Sequence, residues 1–149
     1  ATGSYRTFNV ISPLVVTNPS AGVARLAYTT ILSAQNQVLA TNNTTTPATY
    51  VTLNATLAAG TYRIDYCWAW YYASTATDII VRVLRDATIL REYRAEPQDA
   101  GTDQRYSMGG VYVDTVTAGT FVYTIQYLSA LAGTAAGISQ GTLIVTRIA

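Results

Sequence analysis

Between Tyr62 and Tyr72 the chain alternates without a break, and this run limits the fold more than any other feature. With the two-residue repeat of a β-strand, Tyr62, Ile64, Tyr66, Trp68, Trp70 and Tyr72 share one face, while Arg63, Asp65, Cys67, Ala69 and Tyr71 share the other. Six large side chains in a row must be covered by something. The cover is a second sheet, a subunit interface, or a sugar stacked on the rings, and buried Tyr hydroxyls need partners in each case.

The rest of the chain reads the same way. Lys and Glu, good helix formers, are nearly absent, and Val, Ile, Thr and Tyr are dense. Short alternating runs are punctuated by Gly, Pro, Asn and Asp. Strands are expected at 24–32, 37–40, 50–57, 62–72, 78–84, 88–93, 111–117, 121–128 and 142–148. Residues 1–22 form a leader with Pro13, Pro19 and Gly22, in which Tyr5 to Ile11 can pair as an edge strand. Residues 41–47, 95–109 and 129–141 read as loops. The division is therefore an extended N-terminal arm, 1–22, and one β-domain, 23–149. One stretch recurs: Thr56-Leu57-Ala58-Ala59-Gly60-Thr61-Tyr62 resembles Thr115-Val116-Thr117-Ala118-Gly119-Thr120-Phe121. Each places a Gly where a hairpin loop needs positive φ, or else the two are equivalent corners of a double Greek key. About eight strands with this punctuation give an all-β jelly-roll sandwich.

Composition excludes several chemistries. The chain has no His, so it has no Ser-His-Asp triad and no imidazole metal site. Its single cysteine, Cys67, excludes an intrachain disulfide framework and a multi-thiolate zinc site. Cys67 reads as a small buried thiol, and an unpaired thiol fits assembly in a reducing cytoplasm. A net charge of +1 gives no basic footprint for nucleic acid, and no apolar run is long enough to span a membrane as a helix. Asp99 and Asp103 supply too few ligands for a calcium loop, so no cofactor is expected. Ala1-Thr2-Gly3-Ser4 carries neither the basic nor the apolar region of a signal peptide.

Charge is scarce, 11% of residues against about 25% in an ordinary domain. A chain so poor in charge hides surface in an assembly, since obligate interfaces are more apolar than free surface. The charges present concentrate between Arg82 and Arg105 with mixed signs. Arg91, Arg94, Glu96, Asp99, Asp103 and Arg105 are the expected polar contact loop, suited to bidentate pairing with a neighbouring protein.

The block Leu57 to Tyr66 with Trp68 and Trp70, the hairpin Val81 to Leu90, the block Thr117 to Ile125 and the closing strand Gly141 to Val145 resemble bacteriophage virion proteins. Their strand order looks like the jelly roll shared by tumour necrosis factor and the C1q heads. The resemblance covers about residues 50–149 and implies a homotrimer with an aromatic-rich inner sheet around the three-fold axis. On that basis Tyr62, Tyr66, Trp68, Trp70, Tyr72, Leu143 and Val145 are expected at the trimer interface.

The function expected is structural and non-enzymatic: a trimeric capsid decoration, or cement, protein in a phage-like virion assembled in the host cytoplasm. Its partners would be itself and the major capsid protein or another virion protein. The arm would clamp a neighbour through Phe8, Val10, Ile11, Leu14 and Val15. The alternative is the receptor-binding tip of a tail fibre or spike, with exposed Tyr71, Tyr72, Tyr93 or Tyr106 stacking on host glycan or touching a surface protein.

Overall fold

The computed structural model describes residues 31–99 and 104–149 and, ahead of them, the strand residues 16–17 and 23–24. β1 (Val16–Thr17) and β2 (Val23–Ala24) pair with each other. Nine further strands follow: β3 (Ile31–Asn36), β4 (Ala40–Asn42), β5 (Ala48–Leu57), β6 (Gly60–Tyr72), β7 (Ile79–Arg85), β8 (Thr88–Ala95), β9 (Tyr106–Val116), β10 (Gly119–Ser129) and β11 (Ala136–Arg147). They form two antiparallel sheets, ordered β5-β10-β7-β8 and β3-β11-β6-β9, with β3 and β4 taking successive stretches of the same edge of β11. The chain crosses between sheets after β4, β5, β6, β8, β9 and β10, which makes the sandwich a jelly roll. Among the described residues there is no helix.

The repeated Ala-Gly-Thr stretches mark two of these crossings. Two residues carry the chain from β5 to β6, and two from β9 to β10. Leu57 pairs with Gly119, and Gly60 pairs with Val116, so the two corners lie side by side. They are sheet-to-sheet corners rather than hairpin loops, and only Gly60, at φ 157°, has the positive φ expected of both.

Alternation decides the core. Val51, Leu53, Ala55 and Leu57 of β5 point inward, as do Tyr123, Ile125 and Tyr127 of β10 and Ile79, Val81 and Val83 of β7. They meet the β6 ladder, of which Trp68 is 2% exposed and Tyr72 is fully buried. Two hydroxyls of the ladder find partners: Tyr62 donates to the Ala58 carbonyl at 3.0 Å, and Tyr72 shares hydrogen bonds with Ser129 at 2.8 Å and Thr77 at 3.0 Å. One charged network bridges the sheets. Asp114 of β9, 5% exposed, takes Arg85 Nη1 of β7 at 2.5 Å and the Tyr123 hydroxyl of β10 at 2.9 Å. Such a pair stands because both carboxylate oxygens are satisfied.

The two long sides of the sandwich differ. On one side β3 and β5 are joined by side chains: Asn36 Nδ2 donates to the Tyr50 carbonyl at 3.0 Å, and the Tyr50 hydroxyl donates to the carbonyls of Asn36 at 2.8 Å and Val38 at 2.7 Å. On the other side β8 and β9 end their sheets facing each other. Among the described residues no backbone hydrogen bond joins them. Tyr66 and Tyr93 instead meet hydroxyl to hydroxyl at 2.7 Å, and Arg91 lies 5.1 Å over the Tyr112 ring. Below them Trp68, Trp70, Ile79, Val81, Tyr93, Ala95 and Met108 line a crevice too narrow for water.

Candidate interaction face

The seven side chains expected at a trimer interface are filled in by their own chain. Tyr62, Tyr66, Trp68, Trp70, Tyr72, Leu143 and Val145 are each 0–4% exposed and sit between the two sheets. The alternation identified one face of β6 correctly. What covers it is β5, β10 and β7 of the same molecule, so these residues have no surface left for a neighbour. The face of the sheet left toward solvent is the opposite one.

That opposite face follows from register. Ile31, Thr146, Arg63 and Val113 form one row across β3, β11, β6 and β9. Ser33, Ile144, Asp65 and Val111 form the next, and Gln35, Thr142, Cys67 and Gly109 the third. Ser139, Ala69 and Ser107 continue it. The only charges in these rows are Arg63 and Asp65, which pair at 2.6 Å and cancel. Apart from the amide of Gln35, everything else is small, hydroxylic or β-branched, so the surface is flat and neutral. Val113, Ile31 and Val111 are 54%, 50% and 46% exposed on it. Cys67 is exposed at its middle and not buried, because its strand neighbours Thr142 and Gly109 are too small to cover it.

The face ends at Tyr71, whose ring crosses β11 instead of standing up from it. A Cβ at Gly137 would collide with that ring, so glycine is what lets it lie down. The Tyr71 hydroxyl reaches Thr41 of β4 at 2.9 Å, and Arg105 stacks on the ring at 4.6 Å. Tyr71 and Tyr72 are 4% and 0% exposed, so neither offers a ring to a sugar. Tyr93 and Tyr106 are half-buried and already pack on Trp68, at 5.4 Å between ring centres, and on Trp70, at 4.8 Å.

The expected polar contact loop does not form one cluster. Arg91 and Arg94 lie on β8, where Arg94 shares Glu92 with Arg82. The Arg82 guanidinium first, then that of Arg94, holds the Glu92 carboxyl below the usual glutamate range. Arg105 belongs to the other sheet through Tyr71. Glu96 is exposed, and the Asp99 amide donates to the Tyr106 hydroxyl at 3.4 Å. Asp103 and the arm residues Phe8, Val10, Ile11, Leu14 and Val15 lie outside the described residues. Sequence reasoning missed Ile31, Val111, Val113 and Ile144. The signal for them was the alternate set of positions in each strand, read as bland surface beside the aromatic ladder.

No protein-family model and no curated protein matches the sequence. Solved structures match the shape. The chain superposes on the infectious bursal disease virus Gt strain structure with a TM-score of 0.59 at 12% identity, covering 91% of this chain and 38% of that one. It superposes on the T=1 particles derived from infectious bursal virus with a TM-score of 0.58 at 12% identity, covering 91% of this chain and 36% of that one. The Eiger TNF structure from S. frugiperda gives 0.54 at 10% identity, covering 80% of this chain and 93% of that one. The chain thus spans little more than a third of the viral proteins and nearly all of the TNF structure. At these identities the likeness is one of fold: this chain is a jelly roll of the form found in viral capsid and TNF structures.

Proposed function

We propose that this protein is a non-enzymatic structural component of a virus particle, of the phage decoration type, working as a homotrimer. The copies pack through the outward face of the β3-β11-β6-β9 sheet. The observation that carries the reading is that face: flat, with one self-cancelling ion pair and with Ile31, Val111 and Val113 about half exposed. A soluble sheet normally keeps such a face charged, whereas a buried subunit contact favours this one. The capsid and TNF likenesses support the same reading by fold. Bound to a capsid protein, a trimer acts by area, because three linked copies multiply weak contacts. The leader is the segment that reaches a neighbouring polypeptide. The receptor-tip alternative is the weaker, since the four tyrosines it needs are buried or already stacked.

Light scattering over a dilution series tests the trimer. A mass near 48 kDa, three times the 16.0 kDa chain, is expected, and Val113→Arg should reduce it to the single chain. A wild-type protein that stays at 16.0 kDa at every concentration overturns the assembly. Co-sedimentation with purified capsids lacking decoration then tests the partner.

A further inference from the structure

The four strand edges of the sandwich are not equally guarded. β3 is only six residues long. β5 starts behind Pro47, and Asn36 occupies its Tyr50 carbonyl. β8 carries Arg91, Glu92 and Arg94 and has a register shift against β7. Short length, proline, charge and bulges are the devices that keep an edge from recruiting another strand. β9 has none of them. It runs eleven residues, from Tyr106 to Val116, in unbroken register with β6, and no proline interrupts it. Its one charged residue, Asp114, is turned inward and consumed by Arg85 and Tyr123. Gly109 and Gly110 leave the middle of the edge without side-chain cover.

A second observation lies on the same open side. Among the described residues the buried indole N–H groups of Trp68 and Trp70 have no hydrogen-bond partner, as is also true of the Thr124 hydroxyl on β10. Both rings line the crevice between β8 and β9. A buried donor without an acceptor is uncommon in a folded protein, so this side of the sandwich is the less completely satisfied of the two.

We infer that β9 is an acceptor edge, and that residues 5–11 of a second copy of this chain add to it as a further antiparallel or parallel strand. This rests on the assembly proposed above and names the neighbour that the leader reaches. The segment Tyr5-Arg6-Thr7-Phe8-Asn9-Val10-Ile11 alternates as a strand and carries one charge, which suits an uncharged edge. Between Ile11 and β3 the β1–β2 pairing holds Val16 beside Ala24, and the stretches on either side of it can span about 40 Å when extended.

Amide hydrogen exchange on the full chain tests this. The unpaired amides of β9 should exchange at least about tenfold more slowly in the wild type than in Val10→Pro, which removes a strand donor, or in a chain lacking residues 1–15, while β8 is unchanged. Isotope-labelled arm-deleted chain refolded with an equal amount of unlabelled intact chain should gain the same protection. Equal rates at β9 in all three proteins overturn the proposal. So does protection that depends on the arm but never appears on the labelled armless chain, because the donor is then the same molecule. Light scattering on Val10→Pro separates the two readings: a persistent trimer with unchanged β9 rates sinks the strand addition alone, and a monomeric wild type sinks the trimer.

Discussion

Tyrosine does in this chain what charge does in others, and the consequence shows at high pH. Burial raises the pKa of Tyr50, Tyr66 and Tyr123. Hydrogen bonding to Tyr93 adds to the rise at Tyr66, and the neighbouring Asp114 carboxylate adds to it at Tyr123. Tyr127 is pushed up to about 12 by burial, with the nearby hydroxyls of Tyr50 and Tyr71 contributing. The folded protein holds these protons more tightly than the unfolded chain, whose tyrosines ionise near 10.0. Their contribution to stability is therefore complete below pH 10 and is lost as the pH climbs toward the folded values. Each strongly held proton removes about 1.4 kcal/mol per pH unit, so Tyr66, Tyr123 and Tyr127 together remove about 4 kcal/mol per unit. Urea midpoints measured from neutral to strongly alkaline pH should be flat and then fall steeply above pH 10, and Tyr127→Phe should lessen that slope by about a third. Residue by residue, the sequence showed that the rings lie on one side of β6. It could not show that the opposite side was the free one, because that depends on which strands arrive from elsewhere in the chain.

At the scale of elements, the strands with clean alternation were legible and the strands built from small residues were not. β5, β6, β7, β8 and β10 fall within two residues of their expected limits. β9 begins at Tyr106 and β11 at Ala136, each five or six residues earlier than expected, and β3 occupies 31–36, of which only Ile31 and Leu32 fall in an expected strand. Ser107, Gly109, Gly137 and Ser139 look like loop residues in sequence. They are strand residues here because they face outward beside larger neighbours, and a register shift after Ser139, with Gln140 at φ 52°, breaks the two-residue repeat. Gly137 shows the coupling between elements most directly. Gly137→Ala should lift Tyr71 off β11, break its 2.9 Å bond to Thr41 and loosen β4, at a cost of about 1–3 kcal/mol in chemical denaturation. The same substitution in a Tyr71→Ala background should cost clearly less, and an equal cost in both would place the damage elsewhere.

Across the whole molecule the two ends of the sandwich are built differently. At one end lie the two-residue corners at 58–59 and 117–118 and the tight β7–β8 turn. The Tyr62 hydroxyl donates to Ala58 at 3.0 Å, Arg147 to Ala59 at 3.1 Å, and the Thr61 amide to Ala149 at 2.8 Å. At the other end the connections 43–47, 73–78 and 130–135 are longer. There Thr75 and Ala76 are exposed; the turn is held at its ends, by the Ala73 amide on the Ala135 carbonyl, the Ala130 amide on the Asp78 carbonyl and Thr77 on Tyr72, while at its tip the Ala76 amide makes a local bond to Ser74 at 3.1 Å. A ten-residue Gly/Ser insert after Thr75 should therefore leave the melting temperature within a few degrees, because lengthening a free loop costs little entropy. The same insert after Ala58 should unfold the protein or lower its melting temperature far more. This gives the molecule a direction of growth. New sequence, whether acquired by evolution or grafted for peptide display, has room at the pole of long connections, while the pole of corners must keep its present length for the two sheets to stay in register.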